Sequence, residues 1–116
     1  MIQIKHRNDL SQVTTNNPAY PILDDLCTNL IDNYPGYDPE ADGWLVLLEQ
    51  SDSNRILTEL WDDWRLQDIQ WENVTLEDGF FQGVFLANNQ KGFFILIPDE
   101  PWLTSKERKS LEYYLI

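Results

Sequence analysis

Between residues 21 and 34 the chain reads PILDDLCTNLIDNY, and its apolar residues recur at helical spacing. Ile22, Leu23, Leu26, Cys27, Leu30, Ile31 and Tyr34 form one stripe, with Asp25, Thr28, Asn29 and Asp32 on the wet side. Pro21 suits a first helical turn, and Pro35-Gly36 ends the run, so a helix is predicted over 21–34. A second stripe, Ile56, Leu57, Leu60, Trp61 and Trp64, follows the N-cap candidates Ser51 to Asn54. It turns Arg55, Thr58, Glu59, Asp62 and Asp63 towards water.

Elsewhere the period shortens. GWLVLLE (43–49) is a short, continuous apolar run of the kind found in strands covered on both faces. IQWENVTL (69–76) and FFQGVFLA (80–87) flank Glu77-Asp78-Gly79, and Asp-Gly between two such runs is a hairpin signal. Asn88 to Gly92 make another turn before FFILIP (93–98), which completes a meander. IQIKH (2–6) alternates like a short strand, and SQVTTNNP (11–18) reads as a polar loop. In LTSKERKSLEYYLI (103–116), Thr104 and Glu107 have capping-box spacing, and Leu111, Tyr114 and Leu115 are placed to pack inward. Trp102, in the loop before this helix, is expected to fold back onto the sheet.

The prediction is one acidic α+β domain over 1–116. It has a three- to five-stranded, mainly antiparallel sheet, the meander 69–97 plus the strand 43–49, packed with about three helices. The strands are apolar on alternate and adjacent positions, so both sheet faces need covering. Either the helices divide between the faces, or the bare remainder meets a second subunit.

Composition agrees with a folded core: 42% of residues are hydrophobic and 13% aromatic. Of the five tryptophans, Trp61, Trp64 and Trp71 are expected to fill the space between helix and sheet. Charge changes the picture more. The formal net charge is −12, and it is concentrated: residues 24–78 hold 15 Asp/Glu against only Arg55 and Arg65. Direct binding to a nucleic-acid backbone is disfavoured, because counterion release needs Lys and Arg. A basic protein or a cation would be drawn to such a surface. Cys27 is alone, which excludes an intrachain disulfide and two-Cys metal sites. The start, MIQIKHRNDLSQV, lacks the apolar core of a secretory signal, and no apolar run approaches a membrane span. A reducing cytoplasmic setting, in a bacterium, is the expectation.

Candidate chemistry is sparse. In DPEADGWLVLLE (38–49), Asp38, Glu40, Asp42, Gly43 and Glu49 fall on EF-hand spacing. The context contradicts that motif, because Asp38 precedes Pro39 and is pushed out of helical geometry. The exit reads as a strand, which would carry Glu49 about 20 Å from Gly43. A looser cation site on Asp38, Glu40 and Asp42 survives as a minor reading, beside a polar turn eased by Gly43. His6 is the single histidine, and Cys27 lies on a buried stripe where a thiolate is disfavoured, so nucleophilic catalysis has no support. Adjacent acids on a helix diverge by about 100°, and the pairs Asp24-Asp25, Asp62-Asp63, Glu77-Asp78 and Asp99-Glu100 read as solvated faces rather than acid/base couples.

The expectation for function is a non-enzymatic protein-interaction domain without a cofactor. It would bind the basic surface of a partner through Asp25, Asp32, Glu59, Asp62 and Asp63. Size and acidity are those of immunity- or antitoxin-type inhibitors, a likeness of kind alone. Two alternatives stand beside it: an assembly subunit that self-associates as a homodimer through its sheet, and a cation-binding protein or hydrolase using the loop 38–42.

Overall fold

The computed structural model describes residues 1–49, 70–86, 91–103 and 105–115. The predicted helix over 55–64, with Glu59, Asp62 and Asp63, lies outside the described residues, as do Trp61, Trp64 and the capping Thr104. In chain order the elements are β1 (Ile2–Ile4), a 3-10 helix (Arg7–Gln12), α1 (Ala19–Cys27) continued by a π-helical turn (Thr28–Asp32), α2 (Pro39–Asp42) and β2 (Leu45–Leu47). Then come β3 (Gln70–Glu77), β4 (Phe80–Leu86), β5 (Gly92–Pro98) and α3 (Ser105–Tyr113).

The meander forms as its turn residues require. Asp78 (φ 54°) and Gly79 (φ 83°) both take left-handed backbone, the pair of conformations that a tight hairpin with right-handed strand twist demands. β3, β4 and β5 pair antiparallel, and the full sheet order is β1-β2-β5-β4-β3. One junction departs from the antiparallel expectation. β2 runs parallel to β5, with Leu45 beside Phe94 and Leu47 beside Leu96, while β1 pairs antiparallel with β2 on its other side. The sheet is therefore mixed. Strand 43–49 shortens to Leu45–Leu47, and all three residues are buried because neighbours flank it on both sides and on both faces.

The two greasy faces are covered by different parts of the chain. On one, Val46, Phe81, Phe93, Ile95 and Ile97 pack with Leu103 and Leu111 from the C-terminal segment, and Trp102 folds against them as expected. Arg108 of α3 ion-pairs with Asp99 and holds its guanidinium 5.8 Å from the Phe81 ring centre. On the other, Leu45, Leu47, Phe80 and Leu96 pack with Leu23, Cys27 and Ile31 of the helix, and with Leu10 and Val13. Each large apolar side chain buried this fully stabilises the fold by roughly 1.5–3 kcal/mol. The helices divide between the faces.

The long helix starts earlier and ends differently than its stripe suggests. Asn17 closes the N-terminus, its Oδ1 accepting the Ala19 N–H at 2.9 Å. From Thr28 the helix widens to a π-turn, in which each residue advances fewer degrees around the axis. Ile31 stays buried, but Leu30 (40% exposed) and Tyr34 (53% exposed) drop off the core face. Their expected packing is thus corrected. Tyr114 is likewise 42% exposed rather than inward, because α3 ends at Tyr113 and the chain turns to bridge Leu115 with Val74.

Candidate functional site

Of the acids expected to meet a partner, Asp25 lies exposed on α1, whereas Asp32 is engaged within the molecule. Arg7, brought over by the 3-10 helix, donates from Nε to Asp32 at 2.5 Å and from Nη1 to Asp24 at 2.6 Å. Its Nη2 reaches the Thr28 hydroxyl at 2.9 Å. A guanidinium thus lies across one face of the helix and gathers Asp24, Thr28 and Asp32, while Asp25 faces away from that cluster. Glu59, Asp62 and Asp63 lie outside the described residues.

The loop 38–42 is a capped turn of helix. Asp38 sits in extended backbone (φ −137°), as a residue before proline should, and its carboxylate accepts the Glu40 N–H at 3.1 Å. Asp42 reciprocates by accepting the Asp38 N–H at 2.9 Å. Glu40 faces two cations, Lys5 at 3.7 Å and Lys91 at 4.0 Å. The three carboxylates are spread over a cap and an ion pair instead of converging on a point. No group of three or more His, Cys, Asp or Glu that could hold a metal ion occurs among the described residues. Backbone continuity runs from this turn into β2, so the exit helix of an EF-hand is absent.

Cys27 is fully buried, and burial pushes its thiol up from the ordinary range, opposed by the nearby Arg7 charge. A neutral thiol packed against Leu23 and Ile31 is core, not a nucleophile.

Beside the capped turn lies a feature the residue pattern did not disclose, a cleft of about 340 Å³. Leu30, Ile31 and Tyr34 supply its helical wall from the π-turn. Tyr37 and Asp42 come from the connection to β2, and the floor is where β2 and β5 begin, at Gly43, Trp44 and Leu45 and at Gly92 and Phe94. Pro35-Gly36 swings the chain back, with Gly36 at φ 73° and the Tyr37 N–H bonded to the Tyr34 carbonyl at 3.2 Å. That turn sets the two tyrosines on the same cleft.

Tyr37 is held rigidly. Its hydroxyl lies 2.9 Å from the carbonyls of both Lys5 and Gly43, so one proton serves two acceptors that belong to separate segments. Burial, and next the charge of Asp42, push its pKa up to about 12. Trp44 is fixed by an edge-on contact with Phe93, ring centres 4.9 Å apart. Lys5 places its ammonium 4.4 Å from the Trp44 ring centre, a cation–π geometry, and Lys91 follows at 5.9 Å. The Trp44 indole N–H is buried without a hydrogen-bond partner among the described residues.

The residue pattern does not mark the cleft, because Leu30 and Tyr34 fall on the apolar stripe of a regular helix. One signal was present: Tyr34, Tyr37 and Trp44 crowd the stretch between a helix stop and a strand, interleaved with Asp38, Glu40 and Asp42. Comparison with protein-family models, with curated proteins and with solved structures finds no match.

Proposed function

We propose that the protein is a non-enzymatic interaction domain that binds a basic protein partner, in the manner of an immunity- or antitoxin-type inhibitor. One observation carries the reading. Residues 24–49, which build the exposed side of α1, the capped turn and the cleft, contain Asp24, Asp25, Asp32, Asp38, Glu40, Asp42 and Glu49 and not one Lys, Arg or His. Arg7, Lys5 and Lys91 offset Asp24, Asp32 and Glu40, and the acidic excess that remains steers an oppositely charged partner and rejects like-charged ones. Leu30 and Tyr34, left open beside those acids, add the apolar contact that charge alone does not supply.

Self-association through a bare sheet face has less support, because both faces carry buried clusters closed by the chain's own helices. The cation reading has less support too, because the loop carboxylates already serve backbone donors and lysines.

Affinity capture from native lysate, followed by titration of the purified captured protein, tests the proposal. The partner is expected to be basic, with an affinity that falls steeply between about 50 and about 500 mM salt, as screening requires. A neutral or acidic partner whose affinity ignores salt would refute it.

A further inference from the structure

We infer that the cleft beside α2 is the seat of one arginine side chain from the basic partner, an inference that rests on the reading above. The walls choose the chemistry. Tyr34, Tyr37, Trp44 and Phe94 offer aromatic surface, Leu30 and Ile31 aliphatic surface, and Asp42 is the single charge in the lining. A purely apolar anchor would cover the rings but strip water from the Asp42 carboxylate without replacing its hydrogen bonds. A carboxylate would meet Asp42 with like charge. An arginine satisfies both demands. Its stem lies along the apolar wall, its weakly hydrated plane stacks on aromatic rings, and its fork of N–H groups reaches a carboxylate.

Asp42 is equipped for that role. One of its oxygens accepts the Asp38 N–H, and the other has no partner among the described residues. The size fits as well, since about 340 Å³ is near the lower limit of ligand pockets and takes a long side chain rather than a cofactor. The molecule also shows this acidic segment accepting cations from elsewhere in the chain. Arg7 spans Asp24 and Asp32, and Lys5 already lies over the Trp44 ring, which leaves the exposed Tyr34 ring for a guanidinium. Charge complementarity therefore selects a cation for the cleft, and the aromatic walls select arginine among cations, a residue enriched at interface hot spots.

The test uses a lysine-containing decapeptide in a Gly/Ser background with arginine, citrulline or leucine at the centre, titrated into isotope-labelled protein and followed by backbone amide shifts. Citrulline keeps the shape of arginine and removes its charge. The arginine peptide is expected to bind about tenfold more tightly than the citrulline or leucine peptide, with shifts centred on the cleft. Tyr34→Ala and Asp42→Asn should each abolish that preference. Both positions are exposed, and asparagine keeps an oxygen for the Asp38 N–H, so the fold is retained. If all three peptides bind alike and weaken with salt, or if the preference survives both substitutions, the cleft inference falls and the basic-partner reading stands. If no peptide binds at low salt, both fall.

Discussion

Gly43→Ala puts one methyl group where the fold has no room for it. Gly43 has φ 97° and ψ −171°, a region open essentially to glycine alone, and holding an alanine there costs about 1–3 kcal/mol. The second cost is contact. A Cβ at Gly43 would stand 1.9 Å from the carbonyl oxygen of Gly92, and no real Cβ comes within 3.0 Å. The two backbones must therefore part by an ångström or more at the point where β2 and β5 begin to pair. The first ladder bond, Phe94 N–H to the Trp44 carbonyl at 3.1 Å, would lengthen, and the Gly43 carbonyl would shift from the Tyr37 hydroxyl. Displacement of that kind in a packed interior adds about 1–3 kcal/mol. Together the loss is about 2–6 kcal/mol, a large share of the 5–15 kcal/mol typical of a domain. Gly79→Ala is the control, because Gly79 also has positive φ (83°) but nothing lies within 4 Å of its added Cβ. It should lose only the dihedral term, about 1–2 kcal/mol. By thermal melting followed with circular dichroism, Gly43→Ala is expected to lower Tm by roughly 8–25 °C and Gly79→Ala by roughly 4–8 °C. Equal losses at the two sites would refute the claim that Gly43 is required by its contact with Gly92.

The raised pKa of Tyr37, about 12 against an ordinary 10, makes stability fall in alkali. The hydroxyl is neutral in both states below pH 10, so its contribution is complete there. Between pH 10 and about 12 the unfolded chain gives up its proton first, and the contribution is lost. Denaturant melts across that window should show Tyr37→Phe with a shallower decline than the parent. The Cys27 thiol should react with a disulfide reagent far more slowly in the folded protein than in urea, and Cys27→Ser should cost about 1–3 kcal/mol by burying an unpaired hydroxyl. A folded-state rate equal to the unfolded one would mean the helix opens readily. Arg7→Gln should lower Tm by less than Gly43→Ala does, and the deficit should shrink as salt rises, because the ion pairs it removes are themselves screened. A deficit that does not change with salt would place the role of Arg7 in packing.

What could be read from the chain was whatever local chemistry decides. The Asp78-Gly79 hairpin needs two left-handed residues and has the two types that take that backbone readily. Asp38 before Pro39 was bound to be extended, and it became the cap that excludes an EF-hand. The division of apolar residues between two sheet faces follows from strand alternation and was legible as well. Contacts between distant segments were not. The parallel pairing of β2 with β5 depends on where a long connection returns, and nothing in GWLVLLE or FFILIP marks the direction of approach. The π-turn at Thr28–Asp32 has no local signature, yet it decides that Leu30 and Tyr34 face a cleft rather than the core. Asp32 looked free because Arg7, its partner, lies 25 residues away in sequence.

The same long-range pairing eases the folding of so acidic a segment. Within 24–49 there is no base to offset the carboxylates, and repulsion between Asp24, Asp32 and Glu40 would otherwise oppose the approach of α1, α2 and the sheet. Cations are therefore drawn from outside the segment, Arg7 to the first two and Lys5 with Lys91 to the third. Each joins two separate parts of the chain, so the same contacts that offset charge also tie the fold together. Asp25 and Asp42 are left out of that scheme: neither has an ion-pair partner among the described residues, and both are exposed. A molecule that recruits its own bases to make the core of this surface neutral, while leaving its outer carboxylates for solvent, keeps its long-range field without losing stability to it. The proposed recognition of a basic partner would draw on that division between structural and outward-facing acids.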